Sequence, residues 1–205
     1  MTQILFGKGA EAFVYLVDGK VEKQRLKKRY RHPDLDTQLR KTRTRQEARI
    51  LEKLRFVVPV PELLEIDENT MTLVLSHVDG ELVRFCLDRI KEDVRASLFF
   101  ELGRSVAAMH DRGIVHGDLT TSNLIFQKGT FVIIDFGLAY VTQKIESMAV
   151  DLHVFRQALE SAHYTLFSSL WQSFLKGYLT WNGSKEVLDR LDHVEQRGRY
   201  KRRGD

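Results

Sequence analysis

Two short motifs in the middle of the chain carry residue types suited to phosphoryl transfer. The stretch His-Gly-Asp-Leu-Thr-Thr-Ser-Asn occupies residues 116–123, and Asp-Phe-Gly begins at Asp135, twelve residues after Asn123. Phosphoryl transfer requires a carboxylate that orients and deprotonates the acceptor hydroxyl, together with oxygen ligands for Mg²⁺ on the phosphates. A turn would explain Asp-Phe-Gly alone, but the two motifs in this order favour Asp118, Asn123 and Asp135 as such a set.

The elements predicted around these motifs would hold them in place. Val94–Asp111 is predicted to be a helix, because its apolar residues recur at helical spacing. Asn123–Phe126 and Phe131–Ile134 are predicted to form a hairpin whose far end leads directly into Asp135. The first motif is therefore a loop between a helix and a strand, and the second lies at the mouth of the adjacent hairpin. From about Met148 onward the pattern is helical.

The N-terminal part is predicted to be rich in β-structure, with one long helix. Thr37 to about Phe56 lacks Gly and Pro and has a helical apolar period. Predicted strands lie on both sides of this helix, at Ile4–Phe6, Phe13–Val17, Lys20–Lys23, Leu63–Ile66 and Met71–Val78. The change from strands to helices falls near residues 77–80. The sequence therefore predicts an α+β fold of two lobes, divided after residue 78.

The composition is that of a folded globular protein without a disulfide framework. The 205 residues are 43% hydrophobic and include a single cysteine, Cys86, which is expected to be a buried apolar residue. No stretch is apolar enough to span a bilayer, and the amino terminus lacks the pattern of a signal peptide. These features predict an intracellular protein with no membrane partner.

Positive charge is concentrated in two places. The net charge is only +4, but Lys20–Arg55 holds 14 Lys and Arg against 5 Asp and Glu, and Arg197–Asp205 holds five against one. A solvated basic face would explain this pattern, and so would a surface for a phosphate-rich partner such as ATP or RNA. The sign of the charge does not decide between these alternatives.

With their surroundings, the two motifs resemble the catalytic loop and the magnesium motif of protein kinases. Upstream, Gly-Lys-Gly-Ala-Glu-Ala-Phe-Val at residues 7–14 is similar to the glycine-rich loop of that family, with alanine replacing its last glycine. Lys23 lies where the family has its third-strand lysine, and Glu47 lies on the next helix, where the ion-pair partner belongs. Ordinary surface charge is the alternative for both residues.

This resemblance implies a fold, two cofactors and a role for each residue. The implied fold is a minimal bilobal protein-kinase-like fold: a β-rich N-lobe with one long helix (1–78), a reduced α-helical C-lobe (79–196) and a basic C-terminal tail (197–205). The implied cofactors are ATP and Mg²⁺. Residues implied in nucleotide binding are Gly7, Gly9, Ala10, Glu11, Val14, Lys23 and Glu47. Residues implied in catalysis are Asp118, Lys23 and Asn123, with Asn123 and Asp135 as metal ligands. Asp151 is expected to brace the loop through backbone hydrogen bonds.

A closer resemblance extends over about residues 4–203. The segments 27–36 and 43–49, Gly-Ala-Glu-Ala at 9–12, Val-Asp-Leu at 150–152 and Arg-Gly-Arg at 197–199 are similar to the small kinase/ATPase subunit of the KEOPS (EKC) complex. That likeness implies an atypical serine/threonine kinase with ATPase activity, in a complex that makes threonylcarbamoyladenosine in tRNA. The implied partners are the threonylcarbamoyl-transferring catalytic subunit, a small adaptor subunit, and tRNA at the basic N-lobe face and tail. The implied location is the cytoplasm, and also the nucleus in a eukaryote.

The chain departs from ordinary protein kinases in features that serve peptide substrates. Gly117 replaces the loop arginine, Thr120 replaces a common lysine, and the thirteen residues between Gly137 and Asp151 contain no Ala-Pro-Glu. These departures argue against general phosphorylation of peptide substrates. None of them removes a residue implied in ATP or magnesium binding. Two alternatives stay open, a small-molecule phosphotransferase and a catalytically inert basic scaffold that binds tRNA or protein.

Overall fold

The computed structural model describes residues 3–8 and 11–201, which form a mixed α+β structure of two lobes. The β-strands are β1 (Gln3–Lys8), β2 (Ala12–Val17), β3 (Lys20–Arg25), β4 (Leu63–Asp67), β5 (Thr72–Ser76), β6 (Glu81–Leu82), β7 (Ile114–Val115), β8 (Leu124–Gln127), β9 (Thr130–Ile133) and β10 (Tyr140–Val141). The α-helices are α1 (Pro33–Leu54), α2 (Val83–Cys86), α3 (Glu92–Asp111), α4 (Ile145–Ala162), α5 (Phe167–Tyr178) and α6 (Ser184–Lys201). Short 3₁₀ turns lie at Leu87–Arg89, Thr121–Asn123 and Phe136–Leu138. The predicted fold class is confirmed.

The N-terminal lobe is a five-stranded antiparallel sheet with α1 packed against it. The strand order is β1-β2-β3-β5-β4. Ala48, Leu51 and Leu54 of α1 are buried in one apolar cluster with Leu73 and Leu75 of β5. The two leucines of β5 are two residues apart and so lie on the same face of the sheet. This packing fixes α1 to the sheet that carries Lys23.

Helix α1 begins earlier in the chain than the predicted start at Thr37. Pro33 occupies the first turn, where a missing backbone N–H costs no hydrogen bond, and two aspartates place negative charge at the positive end of the helix dipole. One of them, Asp36, is fully buried and accepts hydrogen bonds from Arg40 Nε at 2.8 Å and from the Lys28 backbone N–H at 3.2 Å. This first turn is held by charge and contains little apolar surface, so an apolar period does not reveal it.

The C-terminal lobe is built on α3, which packs tightly against α5. The predicted apolar stripe of α3 is buried and consists of Leu98, Leu102, Val106 and Met109. A Cβ on Gly103 would overlap the carbonyl oxygen of Phe174, and a Cβ on Gly177 would overlap that of Phe100. Glycine at both positions therefore lets the two helix backbones touch. Among the residues that the structure describes, no helix combines the length and apolarity needed to cross a bilayer.

Several short elements join these parts and were not predicted. Residues 77–80, where the sequence divides the lobes, connect the end of β5 to β6. Strand β6 pairs with β8, and β10 pairs with β7. Strands β6, β7 and β10 have two residues each, too few to show a period, which is why the sequence pattern does not indicate them. Cys86 at the end of α2 is buried, as expected, and burial raises the pKa of its thiol.

The last helix includes part of the segment predicted to be a tail. Helix α6 extends to Lys201, so the prediction that the tail follows the last helix is wrong at this boundary. Val187 and Leu191 bury the apolar face of α6, and Arg197 donates to Glu146 Oε1 at 3.2 Å. Helix α6 includes the glycine at position 198, because the cost of a helical glycine, about 1 kcal/mol, is small enough for such packing to offset. Residues 202–205 lie outside the described residues.

Candidate active site

In the cleft between the lobes, Lys23 contacts both Glu47 and Asp135 directly. The Lys23 ammonium group on β3 donates to Glu47 Oε1 and to Asp135 Oδ1, each at 2.6 Å. Both Lys23 and Glu47 are buried, with 8% and 2% of their surface exposed. The predicted ion pair between Lys23 and Glu47 is therefore confirmed, and the same ammonium group also joins the N-terminal lobe to Asp135.

Asp135 lies in a turn that directs its carboxylate into the cleft. Its φ is +62°, a left-handed conformation that aspartate tolerates better than most residues, and its Oδ1 accepts the Gly137 N–H at 3.2 Å. Partial loss of contact with water would by itself raise the pKa of the half-exposed Asp135, but the charge and hydrogen bond of Lys23 hold this pKa below its usual value. Burial alone would lower the pKa of Lys23, but Glu47 and Asp135 raise it. Both Lys23 and Asp135 are therefore charged at neutral pH.

A buried carboxylate on α4 braces the 116–123 loop, as expected for Asp151. It accepts the backbone N–H groups of His116 at 2.9 Å and Gly117 at 2.8 Å. His110 of α3 lies 3.2 Å from Asp151 through Nε2 and 2.8 Å from the Tyr178 hydroxyl through Nδ1. Burial alone would raise the pKa of Asp151, but the hydrogen bond and charge of His110 hold it below its usual value. Three helices thus hold the loop together.

Hydrogen bonds within the loop fix the direction of Asp118. Asn123 Nδ2 donates to the Asp118 carbonyl oxygen at 2.8 Å and to its Oδ2 at 3.0 Å. His116 Nε2 donates to the Ile134 carbonyl oxygen at 3.1 Å, so its Nδ1 is the acceptor of the Asp118 N–H at 3.3 Å. With Nδ2 engaged, the Asn123 side chain has Oδ1 as the atom that could ligate a metal.

Steric constraints explain why glycine occupies the position at which ordinary protein kinases have the loop arginine. Gly117 has a φ of +80°, and a Cβ at this position would lie 2.6 Å from the Leu138 carbonyl oxygen. Both the backbone conformation and the close approach of Leu138 exclude a side chain. An arginine could therefore occupy this position only if the segment after Asp-Phe-Gly moved away.

Two adjoining cavities occupy the cleft between the lobes. The first has a volume of about 160 Å³, and its apolar lining includes Val14, Val21, Leu75, Val78, Ile125 and Ile134. The second has a volume of about 490 Å³, and its lining includes Gly7, Glu11, Val14, Lys23, Arg25, Asp118, Asn123, Asp135 and Gly137. An apolar pocket beside a charged one suits a ligand with a flat heteroaromatic part and a polyanionic part. A further cavity of about 490 Å³ beside α3 contains none of the predicted site residues.

Most of the residues predicted to bind nucleotide line this cleft. Gly7 and Val14 line the charged cavity, and Glu47 lines the apolar one. Glu11 also lines the charged cavity, but its carboxylate pairs with Arg43 at 3.0 Å and Arg31 at 3.6 Å. The predictions for residues 9 and 10, Gly and Ala, lie outside the described residues. Glu11 is therefore tied to the N-terminal lobe through its side chain.

The donor atoms in the cleft fit Mg²⁺ bound together with phosphates. Asp135 supplies a carboxylate and Asn123 an amide oxygen to the same cavity. Mg²⁺ typically takes one or two protein ligands and completes its octahedron with phosphate oxygens and water. Within the described part of the chain, no group of three or more His, Cys, Asp or Glu could hold a metal. The two residues therefore fit a nucleotide-bound ion better than a site made of protein alone.

Arg25 is a residue of this site that the sequence pattern did not single out. Its Nη2 lies 2.5 Å from Glu47 Oε2, and the side chain lines the charged cavity. Alternate residues of a strand share a face, so Arg25 follows Lys23 onto the cleft side of β3. The predicted strand ended at Lys23, and extending it by two residues would have identified Arg25.

These two lobes and the cleft between them define a fold of the protein kinase type. The model of the protein kinase domain matches residues 2–165, and the chain belongs to that family. Within it, the chain falls in the atypical group of KEOPS subunits: it is 40% identical to the KEOPS complex subunit Bud32 of Pyrococcus abyssi, over 97% of each chain.

Two further relatives extend this comparison. The chain is 40% identical to a probable serine/threonine-protein kinase BUD32 homolog of Archaeoglobus fulgidus, over 94% of each chain. It is 44% identical to a probable bifunctional tRNA threonylcarbamoyladenosine biosynthesis protein of Methanoculleus marisnigri, over 94% of this chain and 35% of that protein. The chain thus corresponds to about a third of the bifunctional relative and to nearly all of the other two.

Proposed function

We propose that this chain is an ATP-dependent atypical serine/threonine kinase with ATPase activity. In this proposal it acts in the KEOPS (EKC) complex, in support of threonylcarbamoyladenosine modification of tRNA. The observation that carries the proposal is the convergence of Lys23, Asp118, Asn123 and Asp135 on one charged cavity beside an apolar one. The names of the relatives, a KEOPS complex subunit and tRNA threonylcarbamoyladenosine biosynthesis proteins, support the assembly and the modification.

Different residues of the cleft would bind the phosphates, the adenine and the metal ion of Mg²⁺-ATP. The backbone near Gly7 and the Lys23 ammonium group would hold the phosphates, and Glu47 would orient Lys23. The apolar cavity would take the adenine. Asn123 and Asp135 would hold Mg²⁺, which, when bound, neutralises phosphate charge.

Asp118 is the group placed to act on the nucleophile. Its carboxylate, fixed by Asn123, would orient an attacking hydroxyl or water and accept its proton. Holding this group in one direction contributes to the rate because the reacting atoms need little further ordering.

The segment after Asp-Phe-Gly supports hydrolysis or a dedicated acceptor over general peptide phosphorylation. Only residues 139–144 separate the 3₁₀ turn at Phe136–Leu138 from α4, and Gly117 leaves the loop without an arginine. The chain therefore lacks the length for a peptide-docking platform between these elements. This is the physical basis for including ATPase activity in the proposal.

The proposed partners are those implied by membership of the KEOPS (EKC) complex. They are the threonylcarbamoyl-transferring catalytic subunit, a small adaptor subunit, and tRNA bound at the basic N-lobe face and the C-terminal segment. The proposed location is the cytoplasm, and also the nucleus if the source is a eukaryote.

An assay of ATP hydrolysis with the purified chain tests the proposal. We expect turnover that requires Mg²⁺ and that rises when the transferring subunit and tRNA are added together. Stimulation by a small hydroxyl compound, with no response to tRNA or the subunit, would favour a small-molecule phosphotransferase. Binding of tRNA without turnover under any of these conditions would indicate an inert scaffold.

Deletion of residues 197–205 is expected to weaken tRNA binding. The deleted segment carries five basic residues and one Asp. Each phosphate contact that is lost should reduce the slope of log affinity against log salt by up to about 0.9 on duplex regions. Binding titrations at two salt concentrations measure both the affinity and the slope.

A shorter deletion controls for the loss of helix. Removing residues 197–205 also removes the end of α6 and the contact of Arg197 with Glu146, whereas removing 202–205 leaves α6 complete. The shorter deletion should also lower the tRNA affinity and the slope of log affinity against log salt, but by less than the deletion of residues 197–205. Wild-type affinity and slope in both truncated proteins would show that the segment does not contact tRNA.

A further inference from the structure

Arg25 shares a buried carboxylate with Lys23. Glu47 is 2% exposed, and its two oxygens have different partners: Oε1 accepts from Lys23 at 2.6 Å, and Oε2 accepts from Arg25 at 2.5 Å. Arg25 is itself 5% exposed, although its side chain lines the charged cavity. A buried ion pair of this kind is costly to disrupt, because the partner that remains is a desolvated charge.

The two cations also face the same point of the cleft. A Cβ built on Gly137 would lie 3.4 Å from Arg25 Nη2 and 3.4 Å from Lys23 Nζ, so the two nitrogens lie within twice that distance of each other. The same position would lie 3.0 Å from Asp135 Oδ1. Two cations and two carboxylates therefore form one compact, charge-balanced cluster where the Asp-Phe-Gly segment meets β3 and α1.

Lys23 has several anionic partners in this cluster and cannot bind all of them at once. It contacts Glu47 and Asp135 at equal distances, and in the proposed function it also binds phosphate. If Lys23 were the sole partner of Glu47, its movement into the cleft would leave a buried carboxylate unpaired. The bond of Arg25 to the other oxygen removes that penalty, because Glu47 keeps a cation wherever Lys23 moves.

We infer that Arg25 is a positioning residue for the ATP-dependent reaction: it anchors Glu47 through Oε2, so that Lys23 can move from Glu47 to an anionic group in the cleft. This inference rests on the proposed function. Arg25 acts through Glu47 and need not touch the nucleotide. It also keeps α1 attached to β3 independently of Lys23.

Kinetics of Arg25→Gln in the wild-type and Glu47→Gln backgrounds test this inference. In the wild-type background kcat for ATP hydrolysis should fall about tenfold, with a smaller change in KM, because orientation is lost more than binding. In the Glu47→Gln background the same substitution should change kcat less than about twofold, because residues that act as a unit are not additive. Arg25→Lys should recover most of the lost kcat, since it restores a cation on the same strand.

A second measurement works without nucleotide. The rate at which a small amine-reactive ester labels Lys23, followed by peptide mass spectrometry, should fall at least about threefold in Arg25→Gln, because both oxygens of the buried Glu47 carboxylate can then hold the Lys23 ammonium group. Arg104→Gln is the matched control, since Arg104 is an exposed arginine on α3 that lines neither cavity of the cleft. It should label and turn over as the wild type does. Thermal unfolding checks each variant, and Arg25→Met, which suits a buried site, replaces Arg25→Gln if the latter does not fold.

The outcomes separate this inference from the proposed function. A wild-type kcat and a wild-type labelling rate in the Arg25 variant would overturn the inference, and so would an equal loss of kcat in the Glu47→Gln background. A wild-type chain that does not hydrolyse ATP, alone or with its partners, would overturn the proposed function, while the labelling comparison still tests the link from Arg25 through Glu47 to Lys23.

Discussion

Asp135→Asn is expected to lower ATP hydrolysis by more than about 100-fold, because it removes the charged oxygen that would hold Mg²⁺ in the cleft. The fold should survive the change. Asparagine has nearly the same size and tolerates the φ of +62°, and the side chain of Asp135 is half exposed. Lys23 loses one partner but keeps Glu47. Turnover by purified protein, at Mg²⁺ and ATP concentrations that just saturate the wild type, measures the effect.

A matched control for this substitution lies in the turn between β2 and β3. Asp18 is an exposed aspartate with a φ of +48°, so Asp18→Asn makes the same chemical change in a similar backbone conformation away from the cleft. The control should retain wild-type turnover. If Asp135→Asn retained it too, with a normal thermal unfolding midpoint, the metal-binding assignment would be wrong.

The residues of the two central motifs could be predicted because their signal is local. Asp118, Asn123 and Asp135 follow from residue types at fixed spacing beside a helix and a hairpin, and the structure places all three on one cavity. Lys23 and Glu47 could be paired only through the resemblance to protein kinases, since each alone reads as surface charge. The structure confirms that pair at 2.6 Å.

Other parts of the site depend on contacts between distant segments, which no local pattern reveals. The resemblance to protein kinases indicated that Asp151 braces the loop, but its link to the distant side chains of His110 and Tyr178 was not predicted. The need for glycine at position 117 arises from the carbonyl oxygen of Leu138, in the segment after Asp-Phe-Gly. The departure from a kinase arginine was visible in the sequence, but its steric cause was not.

The cluster around Glu47 makes the relative position of the lobes depend on charge. Lys23 of β3 contacts Asp135 across the cleft, and Gln46 of α1 donates to the Ala139 carbonyl oxygen at 2.5 Å. Both contacts connect the N-terminal lobe to the Asp-Phe-Gly region. A group that competes for Lys23 would therefore weaken one contact between the lobes and leave the other in place.

Asp118→Ala is expected to lower kcat about 100-fold or more, because it removes the group that orients the nucleophile and accepts its proton. The KM for ATP should change little, since Asp118 is assigned to the nucleophile and Lys23 to the phosphates. The loop should keep its conformation. Asp151 still accepts the backbone N–H groups of residues 116 and 117, and Asn123 still donates to the carbonyl oxygen of residue 118.

This separation of kcat from KM distinguishes Asp118 from Asp135. Loss of Asp135 should impair both Mg²⁺ binding and turnover, so raising the Mg²⁺ concentration should recover part of that activity, whereas it should recover none in Asp118→Ala. Asp93→Ala, an exposed aspartate in the first turn of α3, controls for loss of a surface carboxylate. Wild-type kcat in Asp118→Ala, or its recovery with Mg²⁺, would mean that another group activates the nucleophile.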